Sequence, residues 1–170
     1  MEPTKSPVVA IIMGSESDWP VMEGAARILK DFEVQFETRV LSAHRTPDAA
    51  KKYAEEAHGR GLKVIIAGAG MAAHLAGVLA GCSPLPVIGV PIASGNLKGI
   101  DALLATVQMP SGVPVATVAI GGAKNAAVLA VQMIAISDEN LYAKVEKFKA
   151  DMIPKVEGMN ARVQDLAEQL

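Results

Sequence analysis

Four continuous apolar runs, each followed by a glycine or small-polar loop and then a helix-like segment, constrain this 170-residue chain most. They lie at 8–13, 63–67, 86–90 and 114–120. A run with no polar alternation has no solvent face, so each reads as a strand buried on both sides. A fifth strand, more polar, is expected at 32–41. Helical patterns fill the gaps, at about 19–30, 47–57, after His74, at 100–107 and at 123–136. Strands that alternate with helices make a parallel sheet covered on both faces, joined by right-handed crossovers.

Five such strands have a common solution, the flavodoxin-like order 2-1-3-4-5. The expected fold is therefore a three-layer α/β/α single domain over 1–170, with its core at 7–136. That order seats strand 1 between strands 2 and 3. The loops after these strands, 14–18, 42–46 and 68–74, become neighbours at the carboxyl edge of the sheet, where ligands bind in open α/β folds.

The chemistry of the chain gathers in those loops. Ser42-Ala43-His44-Arg45-Thr46-Pro47 sets an imidazole, able to give or take a proton near neutral pH, beside a guanidinium fork suited to phosphate or carboxylate. Pro47 suits a first helical turn, and Thr46 is placed to cap it. Gly14-Ser15-Glu16-Ser17-Asp18 joins a strand to a helix, with Ser17 or Asp18 as the expected cap. It is neither a Walker loop nor a dinucleotide fingerprint. Asp18 suits the hydroxyls of a ribose and would repel a phosphate placed directly on it. Gly68-Ala69-Gly70-Met71-Ala72-Ala73-His74 offers backbone that a ligand can approach closely. The blander alternatives are a capped turn or surface ion pair for His44 and Arg45, a plain helix cap for Asp18, and a loop-orienting role for His74. His58, ahead of Gly59 and Gly61, reads as part of a helix stop. The three loops together suit a phosphorylated ribosyl ligand. No cluster resembles a metal site, no thiol is paired with a histidine and no serine sits in a nucleophile elbow, so proton transfer and electrostatic positioning are the expected chemistry.

Composition narrows the partners. The chain is 51% hydrophobic, only 4% aromatic, and has a mean hydropathy of +0.30, apolar enough to imply a subunit interface besides a core. Net charge is −2 with no basic block, which speaks against nucleic acid. The single cysteine, Cys82, excludes an internal disulfide and fits a reducing cytoplasm. The start, 1–7, is polar, and the run at 8–13 is too short for a signal core or a membrane span. Beyond 137, Leu141, Val145, Phe148, Met152, Val156, Met159, Val163 and Leu166 recur at gaps of three and four. They predict a long C-terminal helix, bent near Pro154. About thirty residues would reach roughly 45 Å, more than a five-stranded domain covers, so the stripe is expected to dock on a neighbouring subunit.

Four blocks carry a family resemblance. They are Gly14-Ser15-Glu16-Ser17-Asp18-Trp19, Ser42 to Pro47, Ala67-Gly68-Ala69-Gly70 with Ala72-Ala73-His74-Leu75, and Val107-Gln108-Met109-Pro110. In order and spacing they resemble the bacterial N5-carboxyaminoimidazole ribonucleotide mutases of purine biosynthesis, over about residues 8–136. The resemblance implies a carboxylate moved from nitrogen to ring carbon by decarboxylation and recarboxylation, without a metal or an organic cofactor. It implies His44 as general acid and base, Ser15, Ser17, Asp18, Ser42 and Arg45 as ligand-binding, and Gly70, Met71, Ala72, His74 and Leu75 as the wall around the carboxylate and carbon dioxide. It also implies a cytoplasmic homo-octamer acting on a small ribonucleotide, with residues 108–111 near a neighbour's site and no nucleic-acid or membrane partner. The chain departs from the common pattern at Met71, where glycine is usual, at Ala76, where proline is usual, and at Gly95, Asn96 and Ala102.

Two other classes compete. A related carboxylase joins free carbon dioxide to aminoimidazole ribonucleotide, but Ala72-Ala73-His74-Leu75 is of the mutase type. A non-enzymatic flavodoxin-like module is the other. A receiver domain would place an aspartate at the end of strand 3, where this chain has Ala67-Gly68, and a flavin carrier would surround its loops with aromatics.

Overall fold

The computed structural model describes residues 6–170, so most of the polar segment read at 1–7 lies outside the described residues. Five strands form one parallel sheet in the order 2-1-3-4-5, the common solution expected for five alternating strands. They are β1 (Val9–Met13), β2 (Phe36–Val40), β3 (Val64–Gly70), β4 (Val87–Ile92) and β5 (Ala116–Thr117). The helices are α1 (Trp19–Asp31), α2 (Pro47–Ala57), α3 (Leu75–Cys82), α4 (Ile100–Val107), α5 (Ala123–Ala135), α6 (Glu139–Ala150) and α7 (Ile153–Glu168). None of the described helices is long and apolar enough to cross a membrane.

Every residue of β1 and β4 is buried, which is why those runs carry no polar alternation. On one face, Ala10, Ile12, Ile65 and Ala67 pack with Ala54 and Ala57 of α2 and Leu75, Ala76 and Leu79 of α3. Alanines at 50, 54 and 57 give α2 a narrow buried stripe at helical spacing. On the other face Met22 of α1 lies against Gly68, whose hypothetical Cβ would sit 2.4 Å from the Met22 sulfur. Edge strand β2 is exposed at Thr38, Arg39 and Val40.

Three expectations need correction. The second strand begins at Phe36 rather than 32, because residues 32–34 end α1: Phe32 N–H donates to Ile28 C=O and Val34 N–H to Leu29 C=O, with Glu33 left-handed at φ 59°. The third strand runs on through Gly70, since Gly70 still pairs with Ile92 of β4 and Gly68 leaves room for Met22 against the sheet. The fifth strand shrinks from 114–120 to two residues. Beyond it the chain still follows β4, through Val118 N–H to Gly89 C=O and Gly121 N–H to Pro91 C=O, but without a regular ladder.

By contact, the chain divides after Met133, and Ile134–Leu170 forms a second unit. The expected long C-terminal helix is present there as α6 and α7, divided at Asp151 and Met152 just ahead of Pro154. Asp138 caps α6 by accepting from Leu141 N–H at 3.0 Å. On α7, Ile153, Val156, Met159, Val163 and Leu166 are all exposed in the single chain.

Candidate active site

The loops that follow β1, β2 and β3 meet at the carboxyl edge of the sheet around a cavity of about 330 Å³. The β1 loop is a single 3₁₀ turn, Glu16–Asp18, closed by a reciprocal pair: Ser17 N–H donates to Ser15 Oγ (3.3 Å) and Ser15 N–H to Asp18 Oδ2 (3.0 Å). Ser17 Oγ also donates to Ser15 Oγ at 3.0 Å. The cap expected from Ser17 or Asp18 is thus supplied by Ser15, one turn earlier. Asp18 stands at the start of α1 but makes no side-chain bond to that helix. Only 9% of Asp18 is exposed. Burial pushes its carboxyl above the usual aspartate value, although backbone N–H groups of Ser15 and Gly14 pull the other way.

Ser42 staples the β2 loop. Its Oγ accepts from Arg45 N–H at 3.1 Å, and its carbonyl accepts from Thr46 N–H at 3.0 Å and Thr46 Oγ1 at 3.1 Å. Ser42 N–H donates back to Thr46 Oγ1 at 3.0 Å. Thr46 therefore closes the loop instead of capping α2 with its side chain, a second correction of an expected cap. The tight turn presents His44 and Arg45 outward. Arg45 Nη2 donates to Gly14 C=O at 3.0 Å, tying this loop to the β1 loop. Among the described residues Arg45 has no carboxylate partner, so its charge is available to an anion.

The β3 loop brings His74 across. His44 Nε2 and His74 Nδ1 lie 2.8 Å apart, with the rings nearly perpendicular at 85°. One ring must donate and the other accept, so each tautomer is tied to the other's. At Gly70 a Cβ would meet Ile92 C=O and Ser94 Cβ, both at 3.1 Å, a tight fit that would press on the end of β4. Met71 follows in the left-handed region, at φ 54°.

Every residue anticipated from the sequence lines this cavity: His44, Arg45 and Ser42; Ser15, Ser17 and Asp18; Gly70, Met71, Ala72, His74 and Leu75. Gly14, Ala43 and Ala69 complete the wall from within the same loops, and Ser94 joins from the loop after β4. Ser94 is the one contributor that sequence reasoning left aside. The signal was available, since β4 neighbours β3 and its loop ends at the same edge. A second cavity of about 540 Å³ shares Gly14, Ser15, Ser42 and Arg45 and extends to Glu16, Val40 and Thr46. The two share the edge formed by these four residues, Arg45 being the charged one.

Known proteins match this chain closely. The family model described as AIR carboxylase matches residues 8–155. The N5-carboxyaminoimidazole ribonucleotide mutase of Saccharolobus solfataricus is 60% identical over 146 residues, covering 86% of this chain and 92% of its own. A phosphoribosylaminoimidazole carboxylase of Candida glabrata is 54% identical over 147 residues, 86% of this chain but 26% of its own. The crystal structure of Treponema denticola PurE superposes with a TM-score of 0.83 at 29% identity, over 92% of this chain and 98% of that one.

Proposed function

The chain belongs to the AIR carboxylase family, and on that premise we propose that it is an isomerase converting N5-carboxyaminoimidazole ribonucleotide to 4-carboxy-5-aminoimidazole ribonucleotide in purine biosynthesis. One observation carries the reading: His44, His74, Asp18 and Arg45 converge on one cavity in a chain that spans nearly all of a mutase 60% identical to it.

Arg45, on the edge that the two cavities share, takes the phosphate as a charge-assisted donor. Asp18 accepts from the ribose hydroxyls, and Ser15, Ser17 and Ser42 supply the neighbouring hydroxyls. Gly70, Met71, Ala72, His74 and Leu75 wall the end that holds the migrating carboxylate. His44 protonates the carbamate nitrogen as the N–C bond breaks, leaving aminoimidazole ribonucleotide and carbon dioxide. The ring carbon then attacks the carbon dioxide, and His44 removes that carbon's proton to restore aromaticity. A single imidazole performs both transfers, so it must hold one position. The 2.8 Å contact with His74 restrains its rotation and couples the two tautomers.

The same site could carboxylate aminoimidazole ribonucleotide with free carbon dioxide, and the relative from Candida glabrata is named a carboxylase. That chain is about four times longer than the matched region, whereas the mutase relative is matched almost end to end. The enzyme works in the cytoplasm as a homo-octamer, the C-terminal segment from 137 docking on a neighbour. The apolar stripe on α7 supports this, because five exposed large apolar side chains on one helix need a cover.

His44→Asn tests the assignment. It removes the proton shuttle and keeps much of the side-chain volume. The expected result is a fall in kcat beyond roughly 10²-fold, with product affinity by calorimetry and oligomer size by light scattering unchanged. Retained turnover would end the role given to His44.

A further inference from the structure

Met71 carries a long side chain on a left-handed backbone that glycine adopts most easily. Its φ of 54° crowds any Cβ against the neighbouring carbonyl. Two short turns hold that conformation: Ala73 N–H donates to Met71 C=O at 2.8 Å, and His74 N–H to Ala72 C=O at 2.9 Å. Packing within the chain does not account for the side chain, which is 59% exposed in the single chain while lining the cavity. Strain retained at a site wall points to use.

The rest of the lining narrows that use. Ser15, Ser17, Asp18, Ser42 and Arg45 are polar and suited to sugar and phosphate. The apolar lining is Ala43, Ala69, Met71, Ala72 and Leu75. Of these, Leu75 is buried and the alanines have no reach. Met71 alone is apolar, long and free to move, on an unbranched thioether arm with adaptable rotamers.

We propose that Met71 is an apolar flap that folds over the ligand and keeps carbon dioxide in the cavity between the two half-reactions. The inference rests on the decarboxylation and recarboxylation reading above. When the carbamate N–C bond breaks, its electron pair stays on nitrogen, which takes the proton from His44. Carbon dioxide is then free, uncharged and without a hydrogen to donate. Arg45 and Asp18 hold the ribonucleotide but have little grip on it. Only a closed, dry wall retains it until the ring carbon attacks.

The test supplies N5-carboxyaminoimidazole ribonucleotide, carbon-13 labelled on its carboxylate, in excess unlabelled bicarbonate. Aminoimidazole ribonucleotide released per product formed is measured for the wild type, Met71→Gly, Met71→Ala and Met71→Leu. His44→Asn gives the spontaneous background. Met71→Gly relieves the left-handed strain and so folds at least as well, and Met71→Ala shortens the arm on the original backbone. Both raise the release ratio roughly fivefold, which corresponds to about 1 kcal/mol between escape and recapture. Met71→Leu, still long and apolar, stays near the wild-type ratio. A wild type that retains label, with Met71→Gly and Met71→Ala unchanged in ratio, would overturn the flap and leave the mutase reading standing. A wild type that loses its label would overturn both.

Discussion

Gly68→Ala places one methyl group where the sheet has no room for it. The new Cβ would lie 2.4 Å from the Met22 sulfur, 3.0 Å from its terminal methyl and 3.1 Å from Ile92 Cδ1. Met22 is fully buried beneath α1, so its thioether cannot swing into solvent, and Ile92 is 4% exposed. Relief requires α1 to lift from the sheet or both side chains to leave their rotamers. Overpacking of this kind costs about 1–3 kcal/mol, and because the atoms met are the ends of two buried but flexible side chains the loss falls near the middle of that range. For a chain of this size that is a fall in Tm of roughly 4–10 °C. Thermal melts at a fixed protomer concentration measure it, since the proposed assembly would make Tm concentration-dependent. Gly68 C=O also accepts from Gly14 N–H at 3.2 Å, so the strain reaches the loop that carries Ser15 and Asp18, and KM should rise with it. Combining Gly68→Ala with Met22→Ala tests the mechanism: the new methyl fills part of the space that Met22 leaves, so the two losses must sum to less than their parts. A Gly68→Ala protein as stable as the parent, or strictly additive losses, would refute the packing argument.

His74→Phe removes the ring nitrogen that faces His44 and keeps an aromatic wall; kcat should fall, by less than the ~10²–10⁴-fold that a general acid–base group contributes, with KM little moved in steady-state assays. Glu37 is pushed up by burial, but hydrogen bonds from Tyr53 and Arg60 and the charges of Arg60 and Arg39 outweigh it and hold the carboxyl below its ordinary 4.5. Its contribution is therefore present above that value and lost as pH falls through the lower folded-state value. Glu37→Gln should lower urea stability at neutral pH by under about 1 kcal/mol, the Arg60 partner being partly solvent-screened, and the gap should close on acidification. Val156→Lys on α7, 61% exposed in the single chain, should leave the fold within about 0.5 kcal/mol and break the proposed octamer in light scattering.

Much of this molecule is legible in the residues. The runs at 8–13 and 86–90 give β1 and β4, where Val9–Met13 and Val87–Ile92 are buried on both faces as central strands, and the strand order matches the common solution for five alternating strands. The three site loops were legible because glycine, serine and charge interrupt apolar sequence just where strands end. Local propensity misled where tertiary contacts outvoted it. Gly68 and Gly70 read as loop, yet both lie within β3, where a neighbouring methionine and an adjacent strand leave little room for a side chain. Thr46 and Ser17 read as caps from their positions, but Ser42 and Ser15 offered closer partners. The fifth strand looked regular in sequence, but only Ala116 and Thr117 pair in register with β4. The His44–His74 contact joins residues thirty apart, and only the fold reveals it.

The proposed reaction is direct transfer of a carboxylate inside the cavity walled by His44 and the 70–75 loop. Carbon-13 on the carboxylate of N5-carboxyaminoimidazole ribonucleotide, given to the wild-type enzyme in excess unlabelled bicarbonate, should appear on the ring carbon of the product by NMR. Product formed without label, or only when aminoimidazole ribonucleotide and bicarbonate are supplied, would contradict it and assign the site to carboxylation from solution.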